Sequence, residues 1–176
     1  MAKLIYLTGM MGAGKSTLGR RLASWFSYPF VDLDVYIERL AGKHVREIFA
    51  EEGETYFREV EARALRDIPH AFPQAIVATG GGAPCFHNNI TFMKASGFTV
   101  YLDVPVAELV RRLQTSDLQE RPLLAGKSQE ELMEHLEDIL LRRKGVYQQA
   151  HLLFDGVRGQ VEELGQAAQI FLKEKS

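Results

Sequence analysis

Residues 3 to 17, KLIYLTGMMGAGKST, constrain the fold of this chain more than any other stretch. Leu4, Ile5, Tyr6 and Leu7 form an apolar run that Gly9 ends within a few residues, so it reads as a short, buried strand and not a helix. The residues that follow, Gly9-Met-Met-Gly12-Ala-Gly14-Lys15-Ser16, fit the pattern G-x-x-x-x-G-K-[ST] of a phosphate-binding loop. Glycines let the backbone turn tightly, so that successive N–H groups face inward as a nest for phosphate oxygens. A helix beginning near Lys15 adds its positive dipole end and its unpaired N–H groups. Gly12, Ala13, Gly14, Lys15, Ser16 and Thr17 are therefore the expected nucleotide contacts. Lys15 can reach the β- and γ-phosphates, and the Ser16 hydroxyl can ligate Mg²⁺. The competing reading is a Gly-rich turn without a ligand. With Gly at about 7% of average composition, two glycines, a Lys and a Ser or Thr in register arise by chance in fewer than roughly 1% of chains this long.

At 176 residues the chain has the length of one domain with a proper core. Twenty-one Lys and Arg against 23 Asp and Glu leave a net charge of −2, so no basic field points to nucleic acid. The single cysteine, Cys85, excludes an internal disulfide framework and agrees with a reducing cytosol. No signal-peptide pattern opens the chain, and no apolar run approaches the roughly 20 residues of a membrane span. The expectation is a soluble, cytoplasmic monomer.

Thr17 to Ser27 places Leu18, Leu22 and Trp25/Phe26 on one face of a first helix. Phe30 to Asp34 reads as a strand that leaves two carboxylates at its C-terminal end. In open α/β sheets that end faces the ligand; the bland alternative for such an Asp is a helix N-cap. Residues 35 to 68 read as helical, with stripes of Val35, Ile37 and Leu40, then Val45, Ile48 and Phe49, then Phe57, Val60, Ala64 and Leu65/Ile68, separated at Gly42 and Gly53. This connection is longer than neighbouring strands need, so it reads as an inserted helical subdomain. By spacing alone, Arg58 between Glu54 and Glu61 is a solvated ion-pair residue.

Ala75 to Thr79 is a buried strand followed by Gly80, Gly81 and Gly82, which either expose backbone N–H groups to a ligand or form a plain tight turn. A weak helix over 86 to 96, a strand over 98 to 102 and a helix opened by Pro105 come next. Residues 114 to 127 lack helical periodicity and read as a loop. Ser128 to Glu131 is a capping box that opens a long helix, whose terminal Arg142, Arg143 and Lys144 could simply complement its dipole. Leu152 to Phe154 is a fifth strand, and Val161 to Lys173 a closing helix. Five strands alternating with helices imply an α/β fold with a parallel sheet and right-handed crossovers.

With GMMGAGKST at 9–17, DLD at 32–34, FRE at 57–59, TGGGA at 79–83, RPLL at 121–124 and an R-x-x-x-Y running from Arg143 to Tyr147, the chain resembles the bacterial shikimate kinases. The resemblance implies a P-loop fold of the nucleoside-monophosphate-kinase type: a five-stranded parallel sheet flanked by helices, a substrate-binding helical region at about 33–68, and a lid at about 114–127. It implies transfer of the γ-phosphoryl group of ATP to the 3-hydroxyl of shikimate, with Mg²⁺ as cofactor. Asp34 is then the group that hydrogen-bonds the acceptor hydroxyl and takes its proton late, which an exposed Asp near its reference pKa of about 3.9 can do in a loose transition state. Asp32 beside Ser16 orients the metal, Arg58 and Arg143 fork onto the substrate carboxylate, and the Gly80, Gly81 and Gly82 backbone meets the substrate. Arg121 closes from the lid on the transferring phosphate, and Arg112 joins the ATP contacts. Where the family has a Pro two places after the last Arg, this chain has Gly145. The rival readings are another kinase of this fold, such as a gluconate or adenylylsulfate kinase, and a non-catalytic nucleotide switch.

Overall fold

The computed structural model describes residues 3–115 and 126–174. Five strands, β1 (Lys3–Thr8), β2 (Phe30–Asp32), β3 (Gln74–Ala78), β4 (Gly97–Asp103) and β5 (Leu152–Asp155), form one sheet in the order β2-β3-β1-β4-β5. Every pairing is parallel. Alternate residues of β1 serve opposite faces, as a strand requires. Ile5 and Leu7 enter a core with Leu22, Phe98, Val100, Leu109, Leu136 and Leu164. Leu4 and Tyr6 enter a second with Leu33, Ile37, Phe57, Leu65 and Ile68. The sheet is buried on both faces, which explains why its central strands read as continuous apolar runs.

Helices α1 (Lys15–Phe26), α2 (Leu33–Ala41), α3 (Val45–Ala71), α4 (Asn89–Ser96), α5 (Val106–Thr115), α6 (Gln129–Tyr147) and α7 (Val161–Glu174) cover the sheet, with a 3₁₀ turn at Ala83–Cys85. Both expected breaks in the helical insertion occur. Gly42 caps α2 at φ 67°, and Gly53 takes φ 82° inside α3, splitting it across a kink. Among the described residues, no helix is long and apolar enough to cross a membrane.

Four local expectations are corrected. β2 stops at Asp32, because the Asp32 carboxylate accepts the Asp34 and Val35 N–H groups and starts α2 there. Asp34 thus lies in the first turn of a helix and not at a strand end. The buried face of α2 is Leu33 and Ile37, whereas Val35 and Leu40 are 45% and 58% exposed. The weak helix expected over 86 to 96 starts only at Asn89, because His87 and Asn88 take positive φ between it and the 3₁₀ turn at Ala83–Cys85.

Candidate active site

Asp32 pairs in register with Ala78, and Leu7 pairs with Ala78 and Val100. The loops after β1, β2 and β3 therefore leave the sheet together at its C-terminal edge. The loop after β1 turns through Gly9, Gly12 and Gly14 at φ 137°, 78° and 91°, and α1 starts at Lys15. The Lys15 ammonium donates to the Gly9 and Met10 carbonyls at 2.8 Å each, which holds its charge over the loop. The Ser16 hydroxyl donates to Asp32 Oδ2 at 3.2 Å. One Asp32 oxygen thus caps α2 while the other reaches Ser16. The Asp32 side chain is at once the N-cap of α2 and the partner of the Ser16 hydroxyl.

The three consecutive glycines each stand against a different charged group. A Cβ on Gly80 would lie 3.4 Å from Asp34 Oδ1 and 3.4 Å from Glu61 Oε1. One on Gly81 would lie 3.4 Å from an Arg143 Nη, and one on Gly82 only 2.5 Å from an Arg58 Nη. At Gly82 a side chain would run into the Arg58 guanidinium, and the turn gathers Asp34, Arg58 and Arg143 around one stretch of backbone. Asp34 is half-buried. Its carboxyl is pushed above the ordinary carboxylate value by burial and then by Asp32, with Lys15 and Arg58 opposing; the expectation of an exposed Asp at its reference pKa is corrected accordingly.

Arg58 is 9% exposed, not the solvated ion-pair residue that its spacing suggested. It donates to Glu61 at 2.9 Å and to Glu54 at 3.2 and 3.3 Å, and its guanidinium lies 4.3 Å from the centroid of the Phe86 ring. The partners that bury it, Phe86 and Gly82, are far away in sequence. At the end of α6, Arg143 is half-buried and turned toward Gly81. Arg142 is exposed and donates to the Asp138 carbonyl of its own helix. Gly145 is helical with open space around it, and α6 continues through it to Tyr147.

Arg112 braces the opposite wall of the phosphate loop. Its Nη1 donates to the Ala13 carbonyl at 3.1 Å and its Nη2 to the Gly156 carbonyl at 3.0 Å, while Glu108 accepts from its Nε at 2.7 Å. It thereby joins the loop to the turn after β5, where Asp155 accepts the Val157 and Arg158 N–H groups. Arg121 and the rest of RPLL lie outside the described residues, as does most of the expected lid.

A protein-family model described as shikimate kinase matches residues 11–173. The chain belongs to the shikimate kinase family. It is 46% identical over 153 residues to the shikimate kinase of Parabacteroides distasonis, covering 87% of each chain. The 1.7 Å crystal structure of the shikimate kinase from Bacteroides thetaiotaomicron superposes with a TM-score of 0.87 at 42% identity, covering 97% of this chain and 98% of that one. The Acinetobacter baumannii shikimate kinase, in complex with shikimate, superposes at 0.82 with 36% identity over 99% of this chain and 96% of that one.

Beyond the residues expected from the shikimate kinase motifs, the fold brings in Glu61, and it gives Tyr147, until now only the end of the R-x-x-x-Y motif, a partner at Gly81. Glu61 is 1% exposed, and its pKa is raised to about 6, mainly by burial and against the pull of Arg58. Because the folded value lies above the ordinary carboxylate value, the folded protein holds this proton more tightly than the unfolded chain does. The stabilisation it gives is complete below the ordinary value and is lost as pH rises through about 6. Thermal melts from pH 4.5 to 6.5 are accordingly expected to show wild type losing ground relative to Glu61→Gln as pH rises. A gain for wild type over that window contradicts the assignment.

Proposed function

We propose that this chain transfers the γ-phosphoryl group of ATP to the 3-hydroxyl of shikimate, giving shikimate 3-phosphate and ADP. The observation that carries the reading is the glycine turn, whose three residues stand against Asp34, Arg143 and Arg58 in succession beside the phosphate loop. Two forked cations on one side suit a carboxylate, and a single carboxylate on the other suits a hydroxyl. Lys15, with the N–H groups of Gly12, Ala13, Gly14, Ser16 and Thr17, receives the phosphates. Asp34 accepts the proton of the hydroxyl as its oxygen bonds to the γ-phosphorus and the bond to the β-phosphate oxygen breaks. In a loose transition state, positioning counts for more than basicity. Raised as it is, Asp34 is still a weak base suited to late transfer. Arg112 lies beside the nucleotide, and Arg121 closes from a lid at about 114–127.

Ser16 and Asp32 suit Mg²⁺, which keeps most of its waters and takes one or two protein oxygens plus substrate phosphates. Ser16 would bind the ion directly and Asp32 through water; once bound, it neutralises charge on the β- and γ-phosphates. The chain then works as one kinase domain, with its phosphate loop at 9–17 and its acceptor region at about 33–68. A soluble cytoplasmic monomer using only small-molecule substrates is the matching cellular reading, for which the lone Cys85 suits a reducing compartment.

Coupled ADP release with shikimate, with gluconate and with neither tests this function. Acceleration by shikimate alone is expected; acceleration by gluconate, or equal release without an acceptor, overturns it. The acceptor map has its own test. Removing one partner of a desolvated charge pair costs about 2–5 kcal/mol, so Arg143→Ala is expected to weaken shikimate binding roughly 30-fold or more. Arg142→Ala deletes an exposed charge and is expected to cost well under about 1 kcal/mol. Shikimate titrations of both variants decide between them, and a damaging Arg142→Ala would refute the register.

A further inference from the structure

We infer that Tyr147 is a positioning residue for the acceptor, its hydroxyl fixing the Gly81 turn against the arginine one helical turn before it, Arg143. Tyr147 closes α6 and is wholly buried. Its hydroxyl donates to the Gly81 carbonyl at 2.5 Å, across 66 residues of sequence. The Met10 sulfur, 3.8 Å from the same oxygen, is a weak acceptor that borders the bond. Four residues apart on one helix, Arg143 and Tyr147 share a face, and Gly81 lies next to both: its carbonyl accepts from the hydroxyl, and a Cβ on it would stand 3.4 Å from the guanidinium. A ring so placed sets the distance between a backbone segment and a cation that the acceptor must bridge.

Two further observations separate this from plain core packing. The Tyr147 ring stacks on Tyr101, with centroids 5.1 Å apart and planes at 23°, and Tyr101 is as deeply buried. Yet the Tyr101 hydroxyl bonds to Asp103, away from the glycine turn. Burial also raises the Tyr147 hydroxyl to about 12, against the lowering effect of Arg143, so it stays a proton donor at working pH.

The two hydroxyls make a matched pair of deletions, since Tyr147→Phe and Tyr101→Phe each keep the stacked ring. Without the hydroxyl the half-buried Gly81 carbonyl is no longer tied to α6, and a hydrogen bond worth up to about tenfold in an equilibrium constant is lost, so Tyr147→Phe is expected to raise the shikimate Kd and KM about tenfold. ATP KM in Tyr147→Phe, and all constants in Tyr101→Phe, are expected to stay within about twofold. Calorimetric shikimate titration, steady-state kinetics and thermal melts supply the readouts. An unchanged shikimate Kd in folded Tyr147→Phe, an equal rise in Tyr101→Phe, or loss of the folded state in Tyr147→Phe each overturns the inference. It rests on the shikimate kinase reading, and wild type assayed in parallel separates the two. No wild-type turnover of shikimate defeats that reading, whereas normal turnover with an unmoved Tyr147→Phe Kd defeats this inference alone.

Discussion

Lys15→Ala is expected to abolish measurable turnover while the protein stays folded. The Lys15 ammonium touches the Gly9 and Met10 carbonyls of the loop, and Lys15 belongs to neither hydrophobic core. Its loss therefore leaves both cores intact, and far-UV circular dichroism and melting should stay close to wild type. Phosphoryl transfer relies almost wholly on positioning and on charge set against the developing phosphate charge. Removing one preorganised donor from such a site costs about 10²–10³ in kcat, and Lys15 carries a full charge, so its removal should reach or exceed that range. Coupled ADP release at saturating shikimate measures it. Near-wild-type activity in folded Lys15→Ala protein would sink the phosphate-loop assignment.

Asp34→Asn is expected to cut kcat by about 10²–10⁴, the usual worth of a positioned proton acceptor, with ATP affinity nearly unchanged. The phosphate site survives because Asp32, not Asp34, meets Ser16 and caps α2. Asn keeps the shape of the side chain but loses the charge that orients the acceptor hydroxyl and takes its proton. Asp32→Asn is the contrast, expected to shift the Mg²⁺ dependence of the rate. Identical rates and identical Mg²⁺ curves for the two variants would show that the division of roles is wrong.

What could be read in the sequence was what local rules control. The phosphate loop was legible because glycine geometry and a helix start are neighbours in the chain. Gly42 and Gly53 were legible as breaks, since both interrupt apolar stripes and both take positive φ. Arg143 could be separated from Arg142 by following the buried stripe of Leu132, Leu136 and Ile139 round the helix. Where partners are distant, the sequence misled or was silent. Arg58 has the spacing of a surface ion pair, and only the approach of Phe86 and Gly82 buries it. Asp34 could not be known as desolvated before Gly80 and Glu61 closed around it. The shikimate kinase motif supplied Tyr147 as a spacer for Arg143, but its bond to Gly81 is a product of the fold. Val35 and Leu40 misled for the opposite reason, being apolar side chains at helical spacing on a face left exposed among the described residues.

The claim at the centre is that Arg58 and Arg143 hold a carboxylate while Asp34 faces the hydroxyl to be phosphorylated. A crystal structure of the protein with ADP, Mg²⁺ and shikimate bound measures this directly. The shikimate carboxylate is expected within hydrogen-bonding distance of both guanidiniums, and the 3-hydroxyl at Asp34, facing the phosphate loop. A carboxylate bound away from Arg58 and Arg143, or a different hydroxyl at Asp34, would contradict it.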